Sequence, residues 1–226
     1  GFCEALYEEH SLLEDMESFV AMVDVYAVRF MKEYMLTMLI DPKGNCLKRF
    51  KPMAVVDAIL AKKNLGTTRD MAPITIALGP GFTAGVDCHC VVETKRGHTL
   101  GDVIWRGTPI PNTGVPGNVG GFSIERLIKA TADGVMEPKA QIGDIVEKGQ
   151  VVAVTGGKPV YAKMSGLVRG MLQPGVEVQE NLKIGDIDAR CEKKNCFLIS
   201  DKARSIGGGV LEAVTQFERI RGQYAI

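Results

Sequence analysis

Across residues 1–40 the apolar positions Leu12, Leu13, Met16, Phe19, Val20 and Val23 recur at helical spacing. Ser11-Leu-Leu-Glu14 has the form of a capping box, in which a hydroxyl caps the first turn and Glu14 reaches back. The spacing predicts a helix there, then a strand at residues 36–40 closed by the turn Asp41-Pro-Lys-Gly44. Two apolar runs follow, residues 53–57 and 73–78, each leading into a polar, glycine-containing loop. They predict buried strands of an open α/β sheet, in which ligands settle beyond the carboxyl ends, and they bring residues 64–68 beside residues 79–85. Residues 86–94 alternate, with Val86, Cys88, Cys90 and Val92 on one face and Asp87, His89, Val91 and Glu93 on the other. Residues 95–98 read as a turn, and residues 100–105 as the returning strand of a hairpin.

Residues 108–121 break this regularity with Pro109, Pro111 and Pro116 among Gly114, Gly117, Gly120 and Gly121. A segment both stiff and permissive suits a chain that lies in one fixed shape against something. Ile124, Leu127 and Ile128 then suggest a short helix over residues 123–132. From residue 134 the pattern shifts to short strands separated by turns every eight or so residues. Residues 197–200 read as a last strand, and Ile206, Val210, Ala213, Val214 and Phe217 as the buried face of a carboxyl-terminal helix. The organisation expected is an α/β domain with a partial open sheet (1–132), a mostly β domain (133–190), and a carboxyl-terminal strand and helix (191–226) that pack back on the first domain.

Composition narrows the partners. The chain has 226 residues, 46% of them hydrophobic, with Lys+Arg and Asp+Glu balanced at 27 each. That balance gives no overall field for nucleic acid or an acidic membrane surface. No apolar run approaches the roughly 18 residues of a membrane span. Scattered cysteines and the lack of a signal peptide point to the reducing cytoplasm. The chain opens on Gly1, which is compatible with sequence ahead of it.

Candidate chemistry gathers in residues 79–90. Gly79, Gly81, Thr83 and Gly85 form a loop whose glycines allow close backbone approach to an anion, although it has neither the Walker lysine nor a Gly-x-Gly-x-x-Gly fingerprint. Asn112, Thr113, Gly114 and Gly117 of the second loop complete the expected surface. Cys88 and Cys90, with His89 between them, are the catalytic candidates, competing with a reading as buried small hydrophobes. Asp87, His89 and Glu93 on the opposite face, with His98 from the turn, form the polar constellation. Gly207-Gly-Gly209 opens the last helix at a cost of about 1 kcal/mol per glycine against alanine. Either another backbone packs closely there, or an anion meets the helix start with Lys202 and Arg204 beside it. Asp186 and Asp188 read as turn residues, and no metal site is expected.

Residues 142–186 resemble the barrel-sandwich hybrid fold of biotinyl and lipoyl carrier domains. The hairpin that would present a modified lysine is cut to Thr155-Gly-Gly-Lys158-Pro159, so no biotin or lipoate is expected; Lys158 would be the position. A second resemblance covers about residues 53–214. Asp57-Ala-Ile-Leu-Ala-Lys-Lys-Asn-Leu-Gly-Thr67, Leu78-Gly-Pro-Gly-Phe-Thr-Ala-Gly-Val-Asp87, Val92-Glu-Thr-Lys-Arg-Gly-His98, Pro111-Asn-Thr-Gly-Val-Pro-Gly117, Lys183-Ile-Gly-Asp-Ile-Asp188 and residues 199–213 look like the accessory proteins of the selenium-dependent molybdenum hydroxylase system. The resemblance implies work beside xanthine dehydrogenase-like enzymes or their maturation proteins, as an accessory or maturation factor more than a catalyst. It implies a phosphate-bearing cofactor, molybdopterin or a nucleotide, and is compatible with a homo-oligomer. The alternative is a sulfur- or selenium-transfer enzyme using Cys88 or Cys90.

Overall fold

The computed structural model describes residues 4–21 and 36–223. The chain forms two compact units, Gly1–Thr113 with Ile199–Ile226, and Gly114–Leu198. Its architecture is mixed α/β, with more strand than helix, and it ends on a long helix.

The first unit starts with α1 (Ala5–Glu8), β1 (His10–Leu13) and β2 (Met16–Val20), followed by β3 (Leu36–Met38), α2 (Cys46–Phe50) and β4 (Ala54–Asp57). β1 and β2 are an antiparallel hairpin, and β3 runs parallel to β2. A hairpin therefore replaces the helix expected around residue 14; Val23 lies outside the described residues. The turn has only Glu14 and Asp15 between the paired Leu13 and Met16, and Glu14 takes the positive φ, 57°, that such tight turns demand. Its carboxylate does not cap a helix. It accepts from Arg204 at 2.6 and 2.7 Å and from the Ile199 amide at 3.1 Å, which anchors the turn.

β4, β5 (Ile74–Leu78), β6 (Cys90–Val92) and β7 (Val103–Ile104) form the main sheet in that order. The first three strands are parallel and β7 is antiparallel. β5 is buried along its whole length, as a strand covered on both faces should be, and its sequence Ile-Thr-Ile-Ala-Leu shows little alternation for that reason. α3 (Asp201–Gln223) covers one face, where Ile206, Val210, Ala213, Val214 and Phe217 meet Ile74, Ile76, Leu78, Cys90 and Val92. Ala77 and Val91 face the other way, onto Phe82, Ala84 and Cys88 of the β5–β6 crossover. The helix sits close. A Cβ on Gly209 would collide with the Gly101 carbonyl oxygen, and one on Gly101 would lie 2.6 Å from the Ser205 carbonyl oxygen. Gly207 and Gly208 meet nothing within 4 Å.

The second unit contains β8 (Leu127–Lys129), β9 (Gly134–Pro138), β10 (Ile145–Val146), β11 (Val151–Thr155), β12 (Lys158–Tyr161), β13 (Gly166–Met171), β14 (Glu177–Val178) and β15 (Lys183–Asp188). Two four-stranded antiparallel sheets, ordered β10-β13-β15-β8 and β12-β11-β9-β14, contribute to one apolar cluster that includes Ile128, Met136, Val152, Val168, Ile184 and Ile187. The helix expected over residues 123–132 is a single 3-10 turn, Ile124–Arg126, leading into β8, because β8 is claimed by pairing with β15. This pairing moves the start of the unit to residue 114, ahead of the composition change near residue 133. Buried Arg126 ties the segment down by donating to the carbonyls of Ile187 and Gly117, both at 3.2 Å, and to the Asp186 carboxylate at 3.1 Å. Asp188 accepts from the backbone and guanidinium of Arg190, which holds its carboxyl down at about 2. Residues 198–200 are irregular rather than a strand.

Candidate functional site

The stretch from residue 79 to residue 90 crosses the main sheet from one end to the other. It leaves β5 at its carboxyl end and re-enters β6 at its amino end, so its members divide between two edges about 16 Å apart, the length of a five-residue strand.

At the amino edge the polar groups close on one another. Thr83 N–H donates to Asp87 Oδ2 at 2.7 Å, and Gly85 N–H donates to the Cys88 carbonyl at 2.8 Å. His89 N–H donates to the Thr75 carbonyl, while the Thr75 amide donates to His89 Nδ1 at 3.0 Å. Nδ1 is thus an acceptor, which places the proton of the neutral ring on Nε2. Burial, with the Arg69 charge, pushes His89 below the usual histidine range, and its ring packs edge-on against Phe217.

The expected strand alternation fails between Cys88 and Cys90. Cys88 belongs to the cluster of Ala77 and Val91, Cys90 to that of Ile76 and Leu78, so the two thiols pack in different cores. Residue 88 precedes the strand proper, and the turn that binds Gly85 to Cys88 reorients it. Both side chains are wholly buried. Burial and the Asp87 charge push the Cys88 thiol up to about 11; burial and Cys88 push the Cys90 thiol up to about 12. A thiolate is the reactive form of cysteine, so neither residue is the poised nucleophile that the sequence offered. The Asp87, His89 and Glu93 constellation also dissolves: Asp87 and His89 belong to the amino edge, and Glu93 to the carboxyl edge.

The carboxyl edge is built differently. Asp57, the last residue of β4, accepts from Ile59 N–H at 3.0 Å and from the Thr67 hydroxyl at 2.6 Å. Asn64 closes the same crossover, its Oδ1 accepting from the amides of Gly66 and Thr67 at 2.8 Å. Between these anchors Leu60 and Lys62 adopt left-handed backbone, φ 59° and 65°, a cost of about 1–3 kcal/mol per non-glycine residue that surrounding contacts must hold. Gly81 is one such contact. A Cβ there would lie 2.6 Å from the backbone nitrogen and Cα of Lys63, so only glycine lets the two loops touch. The start of the 79–85 loop meets the β4–β5 crossover at Lys62 and Lys63, ahead of the expected residues 64–68, and Gly85 is at the far edge.

Glu93, just past β6, is 2% exposed and gathers three backbone amides: Thr94 at 2.7 Å, Lys95 at 2.8 Å and Ile110 at 2.8 Å. It joins the loop after β6 to the segment after residue 108. Arg96 reaches from that loop to Asp201, a two-pronged ion pair at 2.6 and 2.9 Å. Lys202 follows in the first turn of α3, half-buried. Burial, joined by the positive charges of Lys62 and Arg96, holds its ammonium below the usual lysine range, while Glu93 and Asp201 pull the other way. Three elements, the β4–β5 crossover, the loop after β6 and α3, thus bring the charges of Lys62, Arg96 and Glu93 within electrostatic reach of Lys202.

Of the residues expected to bind a ligand, Gly79, Gly81 and Lys202 occupy this edge. Thr83 and Gly85 do not. Arg204 is paired with Glu14. Asn112 and Thr113 end the first stretch of one unit, and Gly114 and Gly117 begin the other. The glycine triplet opens no helix. It lies two turns inside α3, whose start is capped by Ser200 Oγ accepting from Ala203 N–H at 3.1 Å, and Gly209 serves close packing. Lys62 and Arg96 lie within residues 57–67 and 92–98, where the one local signal is a lysine pair before Asn-Leu-Gly-Thr at the end of a buried strand.

No protein-family model matches the chain. It is similar to the uncharacterized protein YqeB of Escherichia coli (strain K12), 47% identical over 214 residues, which is 95% of this chain and 40% of that protein. The chain therefore spans well under half the length of that relative. Among solved structures it is similar to an aspartoacylase family protein from Mesorhizobium loti, with TM-score 0.26 and 22% identity over 28% of this chain and 22% of that one. A succinylglutamate desuccinylase/aspartoacylase from Rhodobacter sphaeroides has TM-score 0.27 and 17% identity over 51% and 45%. Likeness this slight carries no argument about fold or activity. No helix among the described residues is long and apolar enough to cross a membrane.

Proposed function

We propose that this chain serves a molybdenum hydroxylase system as an accessory or maturation component in the cytoplasm, binding a phosphate-bearing cofactor at the carboxyl edge of its parallel sheet. The observation that carries the reading is the convergence of Lys62, Arg96 and Lys202 where α/β sheets receive ligands. Lys202 is half-buried while Lys62 and Arg96 are exposed, and an anion offsets the mutual repulsion of cations gathered in this way. The motifs around this edge, residues 57–67, 78–87 and 92–98, are among those that carry the resemblance to the hydroxylase accessory family. The second unit, read as a barrel-sandwich hybrid, acts as a docking scaffold for the partner enzyme.

Titration calorimetry with a molybdopterin nucleotide and, separately, inorganic phosphate tests the reading. Saturable heat that falls with rising salt is expected, because the contacts are ionic. No heat at millimolar ligand defeats it.

A further inference from the structure

We propose that Arg169 anchors an interaction surface on the second unit, where it receives a carboxylate from an acidic protein partner. The inference rests on the reading of this unit as a docking scaffold and names the chemistry of what docks. Asp186 and Asp188 lie two residues apart on β15. Arg126 and Lys183 donate to Asp186 at 3.1 and 3.0 Å. Arg190 donates to Asp188 through its backbone amide at 2.9 Å, Nε at 3.0 Å and a terminal nitrogen at 2.6 Å. Arg169 is a further cation beside these two carboxylates, and its ion pair with Asp188 Oδ2 spans 3.9 Å.

That separation is too long for a hydrogen bond, and Asp188 has no capacity for a closer one. Its two oxygens already accept four bonds from Arg190, which fills the lone pairs of a carboxylate. Among the described residues the Arg169 guanidinium makes no hydrogen bond, although its side chain is only 27% exposed. A guanidinium presents its N–H donors in a fixed fork, and covering it without acceptors is unfavourable. A carboxylate supplied from outside fits that fork with two parallel bonds.

A β-bulge aims the side chain. The β13–β15 register shifts between Val168 and Gly170, which makes Arg169 the extra residue, and a bulge of this kind redirects a side chain out of the regular ladder. Glycines let the strands stay close around it: a Cβ on Gly185 would collide with the Gly170 carbonyl oxygen. The 3-10 turn Lys193–Phe197 lies beside β13, where Cys196 Sγ donates to the Val168 carbonyl at 3.8 Å. That turn brings the exposed cation Lys193 and Phe197, which is 54% exposed. An arginine that is mostly covered, next to an exposed aromatic ring, is a pairing enriched at the centres of protein interfaces. Charge complementarity names the partner, because the cations around Asp186 and Asp188 outnumber the carboxylates and match an acidic surface. A free anion would find one guanidinium without hydrogen bonds, whereas a protein adds apolar contact at Phe197.

The test on the full chain uses a hexaglutamate peptide as the probe and inorganic phosphate as the free-anion control, read by NMR of the arginine Nε–Hε groups. Hexaglutamate should bind saturably and shift Arg169 more than Arg126 and Arg190. Arg169→Gln should weaken binding about tenfold, the value of one charge-assisted contact. Lys148→Gln removes an equal charge from an exposed position of the same unit and should change affinity by less than about twofold, since charges without direct contact are screened. Equal losses in the two variants overturn the inference, and so does phosphate that shifts Arg169 as strongly as the peptide does.

Stability separates docking from a structural role. Arg190→Gln strips Asp188 of its side-chain hydrogen bonds and should lower the denaturant midpoint, while Arg169→Gln breaks no hydrogen bond and should leave the midpoint unchanged or raised. A drop in Arg169→Gln as large as that in Arg190→Gln assigns Arg169 to holding Asp188 and overturns the inference. If hexaglutamate fails to bind while a molybdopterin nucleotide still gives saturable heat, the docking surface falls and the cofactor reading stands; if neither binds, both fall.

Discussion

The two edges of one four-stranded sheet are made of opposite materials. At the amino edge a histidine and two cysteines, the residue types most associated with catalysis, are folded into turns and apolar clusters; both thiols are raised and the imidazole is lowered, so all three are held uncharged. At the carboxyl edge a buried glutamate, Glu93, holds backbone amides, and Lys202 is half-buried within electrostatic reach of Lys62 and Arg96. The difference teaches that residue type is a weaker guide to chemistry than the end of the strand at which a residue falls. Parallel strands deliver their crossover loops, and the loose amides of those loops, to the carboxyl end. Asp57 and Glu93 are there to collect them.

The largest effect expected from breaking this contrast comes from Glu93→Ala. It leaves three backbone N–H groups, one buried and two part-buried, without the acceptor that a residue only 2% exposed provides. A buried donor left unsatisfied costs about 1–3 kcal/mol, and solvent entering the gap recovers part, so a loss of about 3–5 kcal/mol in denaturant unfolding is expected. Cys88→Ala, a small apolar exchange at the other edge, should cost well under half of that. Equal losses would mean that Glu93 is no more than another packed side chain.

Ligand affinity separates the edges next. Lys202→Ala should weaken phosphate-ligand binding by about tenfold to a hundredfold, the value of a charge-assisted contact, with Lys62→Ala somewhat less because its side chain is more exposed. Cys88→Ala should leave affinity unchanged in the same calorimetry. A loss in the cysteine variant as large as in the lysine variants would return the candidate site to the amino edge.

How far these edges were legible follows from what each signal measures. Buried β5 and the amphipathic face of α3 were readable because both are statements about which residues avoid water, and Ile74–Leu78 and Ile206 to Phe217 say so locally. The amino-terminal hairpin was not, since Leu12, Leu13, Met16, Phe19 and Val20 fit a helix as well as two short strands. What decided it was Arg204, a distant residue that takes the Glu14 carboxylate. Cys88 and Cys90 were misassigned to one face because alternation was extended past the start of β6 into a turn. The cation cluster could not be seen at all. Lys62, Arg96 and Lys202 are far apart in sequence, and only the parallel order of β4, β5 and β6, with α3 laid across it, brings them to one end.

Gly209→Ala tests the packing that sets α3 against the sheet and so aims Lys202. The added methyl meets the Gly101 carbonyl and Val92, a backbone group and a buried side chain with little room to yield. Overpacking of this kind costs about 1–3 kcal/mol. Because the helix must shift to relieve it, phosphate-ligand affinity should fall along with stability, in contrast to Cys88→Ala. A destabilised Gly209→Ala protein with undiminished affinity would show that the helix start is aimed by the Arg96–Asp201 and Arg204–Glu14 pairs alone.

The smallest effect, and the sharpest control, is the neighbouring Gly207→Ala. Residue 207 has the same sequence character as residue 209, lies in the same helix and meets nothing within 4 Å. Here alanine removes only a conformational entropy cost, so stability should rise by up to about 1 kcal/mol, read as a higher unfolding midpoint at an unchanged denaturant slope. The two substitutions thus have opposite signs two residues apart, which no account based on helix propensity alone produces. A loss at Gly207 would mean that this open face of α3 is covered in the folded protein by something outside the described residues, and the packing argument for Gly209 would then have to share α3 with a second contact.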